Sequence, residues 1–214
     1  MESAFRQGDL TDPALRLIET LGWDGAVFPR IDRHLARLAV SAARLGWGCD
    51  LRQATRALRD AAPTMPARMR LTLDAGAQVA VTVAPMPAPA VLWRLMPATE
   101  CLDPADPWLT LKSTRRAAYD RARAALPGGI DEAILTNHRG EVCDGTITTV
   151  FFDAGAGLCT PPLAAGVLPG VLRAEMLGLG RCREATLWAK DLPDVRLWVG
   201  NSLRGLIPAR WSPP

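Results

Sequence analysis

The chain has 214 residues, 49% of them hydrophobic and 22% charged, with a formal net charge of +3 at pH 7. A chain of this size can bury a core without disulfides or a structural metal, and its most apolar stretch, AQVAVTVAPMPAPAVLW, is broken by prolines short of the ~20 residues that span a bilayer. The cysteines are odd in number (5) without metal-like spacing, the basic residues are interleaved rather than clustered, and the first residues carry no export signal, so a disulfide framework, a zinc module, a membrane span and a nucleic-acid partner are disfavoured and a cytoplasmic protein is expected.

In chain order, LRLIETLGWDGAVF at 15–28 predicts a strand, a turn at Trp23, Asp24 and Gly25, and a second short strand. Ile31, Leu35, Leu38, Ala42 and Leu45 then recur at steps of three and four up to Gly46 and Gly48, the pattern of an amphipathic helix. Its other side carries Arg33, Arg37, Ser41 and Arg44. A second helix is expected over 50–61, ended by Pro63 and Pro66, and RMRLTLD and QVAVTVA alternate about an Ala-Gly-Ala turn as a hairpin. Residues 85–107 are proline-rich. A boundary near residue 105 therefore divides the chain into a small N-terminal α/β domain, 1–105, and a C-terminal domain, 106–214.

The second half opens with LTLKSTRRAAYDRARAAL, which predicts a short strand entering a helix capped by Ser113 or Thr114 and ended at Pro127. Residues 131–152 predict a hairpin through the turn HRGE, with Asp144, Thr146 and Thr148 on one face by the period of two. GLCTPPLAAGVLPGVLRAEML supplies a strand, a loop and a helix starting after Gly170, and two strands with a closing segment finish the chain.

Only Lys112 and Lys190 among the 25 basic residues are lysine. Arginine keeps its proton and forms no Schiff base, whereas a lysine amine can lose its proton and attack a carbonyl, so each lysine is a candidate for amine chemistry. Lys190 lies in the turn-like WAKDLPD, His34 reads as a structural residue of its helix, and His138 as a solvated turn residue. Lys112 sits instead among features that suit pyridoxal phosphate. Asp144 offers a carboxylate able to keep a pyridine nitrogen protonated, and GVLPGVLR offers the amides of a helix start to a phosphate dianion.

Together these residues resemble the class IV pyridoxal-phosphate enzymes, of fold type IV, which include branched-chain aminotransferase, D-amino-acid aminotransferase and 4-amino-4-deoxychorismate lyase. The resemblance lies in LIETL at 17–21, HLARLAVSA at 34–42, RLTL at 70–73, LKSTRRAAYDRA at 111–122, DEAILTNHRGEVCDGTITTVFF at 131–152, TPPLAAGVLPGVLR at 160–173 and NSLRGLIPA at 201–209. It implies a small α/β domain followed by a larger one with a β-barrel-like core. It also implies that Lys112 carries pyridoxal 5'-phosphate, that Arg37, the amides of Val171 and Leu172 and the hydroxyl of Ser202 bind its phosphate, and that Asp144 faces its ring nitrogen. Asp144 stands where the family usually has glutamate, and Thr149 where it commonly has asparagine. The chain starts close to LIETL, so the strands that usually precede that motif are expected to be missing.

LIETL, HLARLAVSAARLGW and NSLRGLIPA look most like the lyase, which implies conversion of 4-amino-4-deoxychorismate to 4-aminobenzoate and pyruvate. In that reading Thr20 falls near a catalytic threonine, Arg204 and Arg116 meet the substrate carboxylates, and a homodimer acts on a small amino substrate. The alternatives are an aminotransferase of branched-chain or D-amino acids, and a catalytically silent member or arginine-rich binding protein.

Overall fold

The computed structural model describes residues 5 and 7–212; part of the stretch read for an export signal, residues 1–4 and 6, lies outside them. The backbone packs into two compact units, Met1–Ala88 with Leu111–Arg115, and Pro89–Thr110 with Arg116–Pro214. The chain thus leaves the first unit at Ala88 and returns to it at Leu111, whereas the sequence reading has a single boundary near residue 105.

The first unit contains α1 (Gln7–Leu10), β1 (Leu17–Trp23), α2 (Ile31–Leu45), α3 (Leu51–Asp60), β2 (Ala67–Leu73) and β3 (Val79–Pro85). Its antiparallel sheet has the order β1-β2-β3. Period-two alternation buries Ala67, Met69, Leu71 and Leu73 of β2 and leaves Arg68 and Arg70 exposed. Burying a side chain the size of Met69, Leu71 or Leu73 stabilises the fold by roughly 1.5–3 kcal/mol before chain entropy is counted. α3 starts where the Asp50 carboxylate accepts the N–H groups of Arg52 and Gln53 at 2.8 and 3.1 Å. α2 stops at Gly46, whose φ of 70° is the left-handed conformation that glycine adopts without a side-chain clash. The buried stripe of α2 comprises His34, Leu38, Ser41, Ala42 and Leu45, so it is turned toward two polar residues relative to the apolar stripe read from spacing.

The second strand expected after Asp24 does not form. The Asp24 carboxylate accepts the N–H groups of Ala26 and Val27 at 2.8 Å each and curls the chain toward α2, while β1 pairs with β2. At the other edge of β1, the Ile18 N–H donates to the Lys112 carbonyl at 2.8 Å and the Thr114 N–H to the Arg16 carbonyl at 2.9 Å. Lys112 therefore lies on an extended segment bridged to β1 through Ser113 and Leu17.

Neither expected cap serves a helix. Thr114 Oγ1 accepts the Arg16 N–H at 3.0 Å and donates to the Ala14 carbonyl at 3.2 Å, and Ser113 Oγ accepts the Arg115 N–H at 3.2 Å. The next helix, α4 (Ala117–Ala124), starts after Arg116 with no side-chain cap.

The second unit adds to α4 the strands β4 (Trp93–Leu102), β5 (Glu132–Asn137), β6 (Val142–Gly145), β7 (Thr149–Asp153), β8 (Cys159–Thr160), β9 (Arg183–Glu184), β10 (Arg196–Asn201) and β11 (Gly205–Trp211), and the helix α5 (Val171–Gly178). The sheet order is β10-β11-β4-β5-β6-β7-β8-β9, and β10 also pairs with β7. That extra pairing closes β10, β11, β4, β5, β6 and β7 into a barrel, which removes the open edges those strands would otherwise present. Leu95, Ile134, Val142, Val150, Phe152, Leu197, Val199 and Ile207 form one buried cluster, and Phe151 packs on Leu172 and Met176 of α5. The fold is mixed α/β with a barrel-like sheet in the larger unit, as the motifs imply.

Candidate active site

In the first unit, β1 and α2 bring three polar side chains together. Glu19 and His34 are buried at 2% and 1% exposure, on a strand covered at both edges and on the inner face of α2. Arg37 donates through Nε to Glu19 Oε1 at 2.8 Å and through Nη2 to Oε2 at 2.6 Å, a two-bonded fork that fixes the plane of the guanidinium. His34 Nδ1 lies 2.6 Å from Glu19 Oε2. Burial raises the Glu19 pKa, but the Arg37 charge and the hydrogen bonds from Arg37 and His34 outweigh it and hold the carboxyl below its usual range. Burial pushes the His34 pKa down against the pull of Glu19, with the Lys112 and Arg37 charges adding to the fall.

An ionised Glu19 beside a neutral His34 requires the proton on Nδ1, which leaves Nε2 a lone-pair acceptor. Nε2 is buried and has no hydrogen-bond partner among the described residues. Lys112 is half-buried on the segment paired with β1, its carbonyl held by the residue next to Glu19. Thr20, half-buried, stands opposite Arg70 in the strand register.

In the second unit, register builds a row across three strands. Asp144 on β6 pairs with Thr149 on β7, and Thr149 pairs with Gly200 on β10. Asp144 is 3% exposed, and its Oδ2 accepts the Leu168 N–H at 2.8 Å. A Cβ on Gly170 would lie 2.8 Å from Thr149 Oγ1, and one on Gly200 would lie 2.5 Å from the Gly205 carbonyl oxygen and 2.8 Å from Leu172 Cδ2, so both places are tight for a side chain where α5 approaches the row. Gly170 precedes α5 without a capping side chain, so the Val171 and Leu172 amides stand at the helix start, where no intrahelical acceptor is available to them. Ser202, half-buried, lies in the turn between β10 and β11. There Asn201 Oδ1 accepts the N–H groups of Leu203 and Arg204 at 3.1 and 3.0 Å. The Arg204 guanidinium sits 5.2 Å from the Trp93 ring centroid. Arg116 donates to Asp120 at 2.7 Å and to the Thr146 carbonyl at 2.9 Å.

A model of the family described as amino-transferase class IV matches residues 16–211. The chain belongs to the class IV aminotransferase family. It is 31% identical to a provisional aminodeoxychorismate lyase of Schizosaccharomyces pombe over 179 residues, 78% of this chain and 75% of the relative. A crystal structure of a provisional amino-acid aminotransferase from Mesorhizobium loti superposes with a TM-score of 0.89 at 45% identity, over 92% of this chain and 100% of the other. The fold is shared with 4-amino-4-deoxychorismate lyase from Pseudomonas aeruginosa, TM-score 0.79 at 23% identity, over 92% and 82% of the two chains. Members of the family are pyridoxal-phosphate-dependent enzymes, lyases or aminotransferases, and this chain is one of them.

Each unit, taken by itself, offers groups that suit that cofactor's chemistry. The second unit has a buried carboxylate for a ring nitrogen and uncapped helix amides beside a hydroxyl turn for a phosphate dianion. The first has a lysine amine and an arginine.

Two parts of the neighbourhood differ from the sequence reading. Thr146 and Thr148 do not share a strand face with Asp144, because residues 146–148 form the turn between β6 and β7 and both hydroxyls donate to Glu132. The charged residues Glu19 and Glu132, both buried, were not singled out from sequence. The clue to Glu19 was an acidic residue inside the apolar run LIETL, facing a His34 and Arg37 spaced three apart on a helix.

No helix among the described residues is long and apolar enough to cross a membrane.

Proposed function

We propose that this protein is a 4-amino-4-deoxychorismate lyase that releases 4-aminobenzoate and pyruvate. The observation that carries the reading is the 31% identity to the Schizosaccharomyces pombe relative, which extends through 78% of the chain. Pyridoxal phosphate, when bound, supplies an electron sink for the bond electrons left when an acidic proton departs next to the substrate amine. Lys112 would hold the cofactor through its amine, and the same amine would serve as the base that takes that proton. Asp144 keeps a proton on the ring nitrogen. Arg37, the Val171 and Leu172 amides and Ser202 hold the phosphate. Arg116 and Arg204 orient the substrate carboxylates, and Thr20 contacts the reacting group. The ring C–O bond breaks as the proton is taken, the enolpyruvyl group departs as enolpyruvate and becomes pyruvate when its carbon takes up a proton, and aromatisation of the remaining ring drives the step. A cytoplasmic homodimer is the working form.

The second reading is an aminotransferase, favoured by the 45% identity to the Mesorhizobium loti structure across its whole length. The two readings share every residue role up to proton removal and part at the fate of the electrons, so the substrate pocket decides between them.

The test begins with borohydride reduction after incubation with pyridoxal phosphate, followed by peptide mass spectrometry. Label on Lys112 supports the cofactor assignment; label on Lys190 alone, or none, ends it. Pyruvate release from 4-amino-4-deoxychorismate by the loaded protein supports the lyase. Conversion of the bound aldehyde to the amine form by an amino acid alone, reversed by a 2-oxo acid and without pyruvate release, establishes the aminotransferase instead. Light scattering of the loaded protein gives the oligomeric state.

A further inference from the structure

The turn at 146–148 is held by an unusual number of polar contacts for so short a connection. Glu132, 0% exposed, accepts at Oε1 from the Thr146 N–H at 2.9 Å and from the Thr146 hydroxyl, and at Oε2 from the Ile147 N–H at 3.1 Å and the Thr148 hydroxyl at 2.8 Å. Gly145 makes this possible, since a Cβ there would lie 2.8 Å from Glu132 Oε2. Arg116 takes the Thr146 carbonyl, and Asn201 Nδ2 takes the Ile147 carbonyl at 3.1 Å.

The last of these contacts reaches out of the turn. Asn201 spends its oxygen within the turn between β10 and β11, on the Leu203 and Arg204 amides, and its nitrogen on the turn between β6 and β7. One side chain therefore ties the two turns together, and Glu132 anchors one of them to the barrel wall. The tied turns follow Asp144 on one side and carry Ser202 on the other.

The structure assigns Asn201 and Glu132 as positioning residues: they lock the β6–β7 turn to the β10–β11 turn and so fix the spacing between Asp144 and Ser202. The assignment rests on the cofactor reading above for what that spacing serves. A ligand with a ring nitrogen at one end and a phosphate at the other is sensitive to it. Each end alone is not. Loss of the lock weakens binding of pyridoxal phosphate and leaves pyridoxal, which lacks the phosphate, bound as before.

Asn201→Asp keeps both acceptor bonds to Leu203 and Arg204 and loses the donor to Ile147 while adding a negative charge, so binding is compared at low and high salt, where repulsion of the phosphate is screened and loss of the lock is not. Hydrogen exchange on the cofactor-free variant is expected to accelerate by roughly fivefold at the Thr146 and Ile147 amides, which Glu132 holds in the turn that Asn201 steadies through the Ile147 carbonyl, with Leu203 and Arg204 unchanged. Equilibrium dialysis is expected to find pyridoxal phosphate bound about tenfold more weakly at unchanged pyridoxal affinity, with the melting temperature of the free protein close to wild type. Unchanged exchange at Ile147 overturns the lock. Faster exchange with unchanged pyridoxal phosphate affinity, or an equal loss for pyridoxal, overturns the positioning role. If the wild-type protein binds no pyridoxal phosphate, the cofactor reading fails by itself and the positioning role fails with it, while the exchange measurement still decides whether the turns are locked.

Discussion

Among the described residues, each unit buries one glutamate almost completely, and the two are satisfied by opposite means. Glu19 in the first unit is paired with the Arg37 guanidinium and His34. Glu132 in the second takes amide and hydroxyl donors, with Arg123 only at 3.4 Å and 40% exposed. An ion pair concentrates its stability in few partners, so losing one strands a charge. A carboxylate ringed by neutral donors instead organises backbone, and its loss strands several groups together. The first arrangement suits a side chain that must be aimed, the second a turn that must keep its shape.

The largest expected effect is at Glu132. Glu132→Ala leaves the Ala133, Thr146 and Ile147 amides and two hydroxyls without this acceptor, and a loss of about 4 kcal/mol or more is expected in urea unfolding. Glu19→Gln keeps the shape but leaves Arg37 without its counter-charge. It is expected to cost about 3 kcal/mol in the same measurement, and a cost above that of Glu132→Ala would reverse the comparison.

The pH dependence separates the two groups further. Both Glu19 and His34 have pKa values lowered by folding, so the unfolded chain binds more protons and stability rises with pH through their range. The His34 contribution is present above its ordinary pKa of about 6.5 and falls away as pH drops below it. The Glu19 contribution is present above about 4.3 and is lost only as pH falls further. Thermal melts are expected to show stability declining from pH 7 to 5 in the wild type, with a shallower decline in His34→Gln. A steeper decline in that variant would contradict the neutral imidazole. The smallest effect belongs to Arg123→Ala, whose half-exposed side chain sits at the edge of the Glu132 cluster. A change below about 1 kcal/mol is expected in urea unfolding, and a larger one would mean that Glu132 depends on charge after all.

Local chemistry was legible where it acts over a few residues. The three-and-four spacing from Ile31 to Leu45 and Gly46 located α2 and its stop, and the alternation around Gly76 located the β2–β3 hairpin. What sequence missed was decided by partners far along the chain. Ala26, Val27 and Phe28 have strand-like composition, yet the Asp24 carboxylate claims two of their amides, and β1 finds its partner in β2. Thr146 and Thr148 obey the period of two, but Glu132 draws both hydroxyls and bends the backbone between them. Barrel closure rests on β10 meeting β7, a pairing that no local pattern encodes. For the candidate site, motif order named the residues from Lys112 to Ser202, whereas the Glu19 fork and the Asn201 tie needed coordinates, because each joins side chains from separate elements.

The return of Leu111–Arg115 to the first unit also orders events in time. Thr114 Oγ1 bonds to Ala14 across a sequence separation of 100 residues. At a synthesis rate of roughly 5–20 residues per second, the edge of β1 waits about 5–20 s for its last neighbour to be made. During that interval the amides that Lys112 and its neighbours will cover are open to pairing with other chains. The segment that carries Lys112 thus also covers the free edge of β1, so a ribosome stalled before Leu111 would hold a chain with that edge still unpaired.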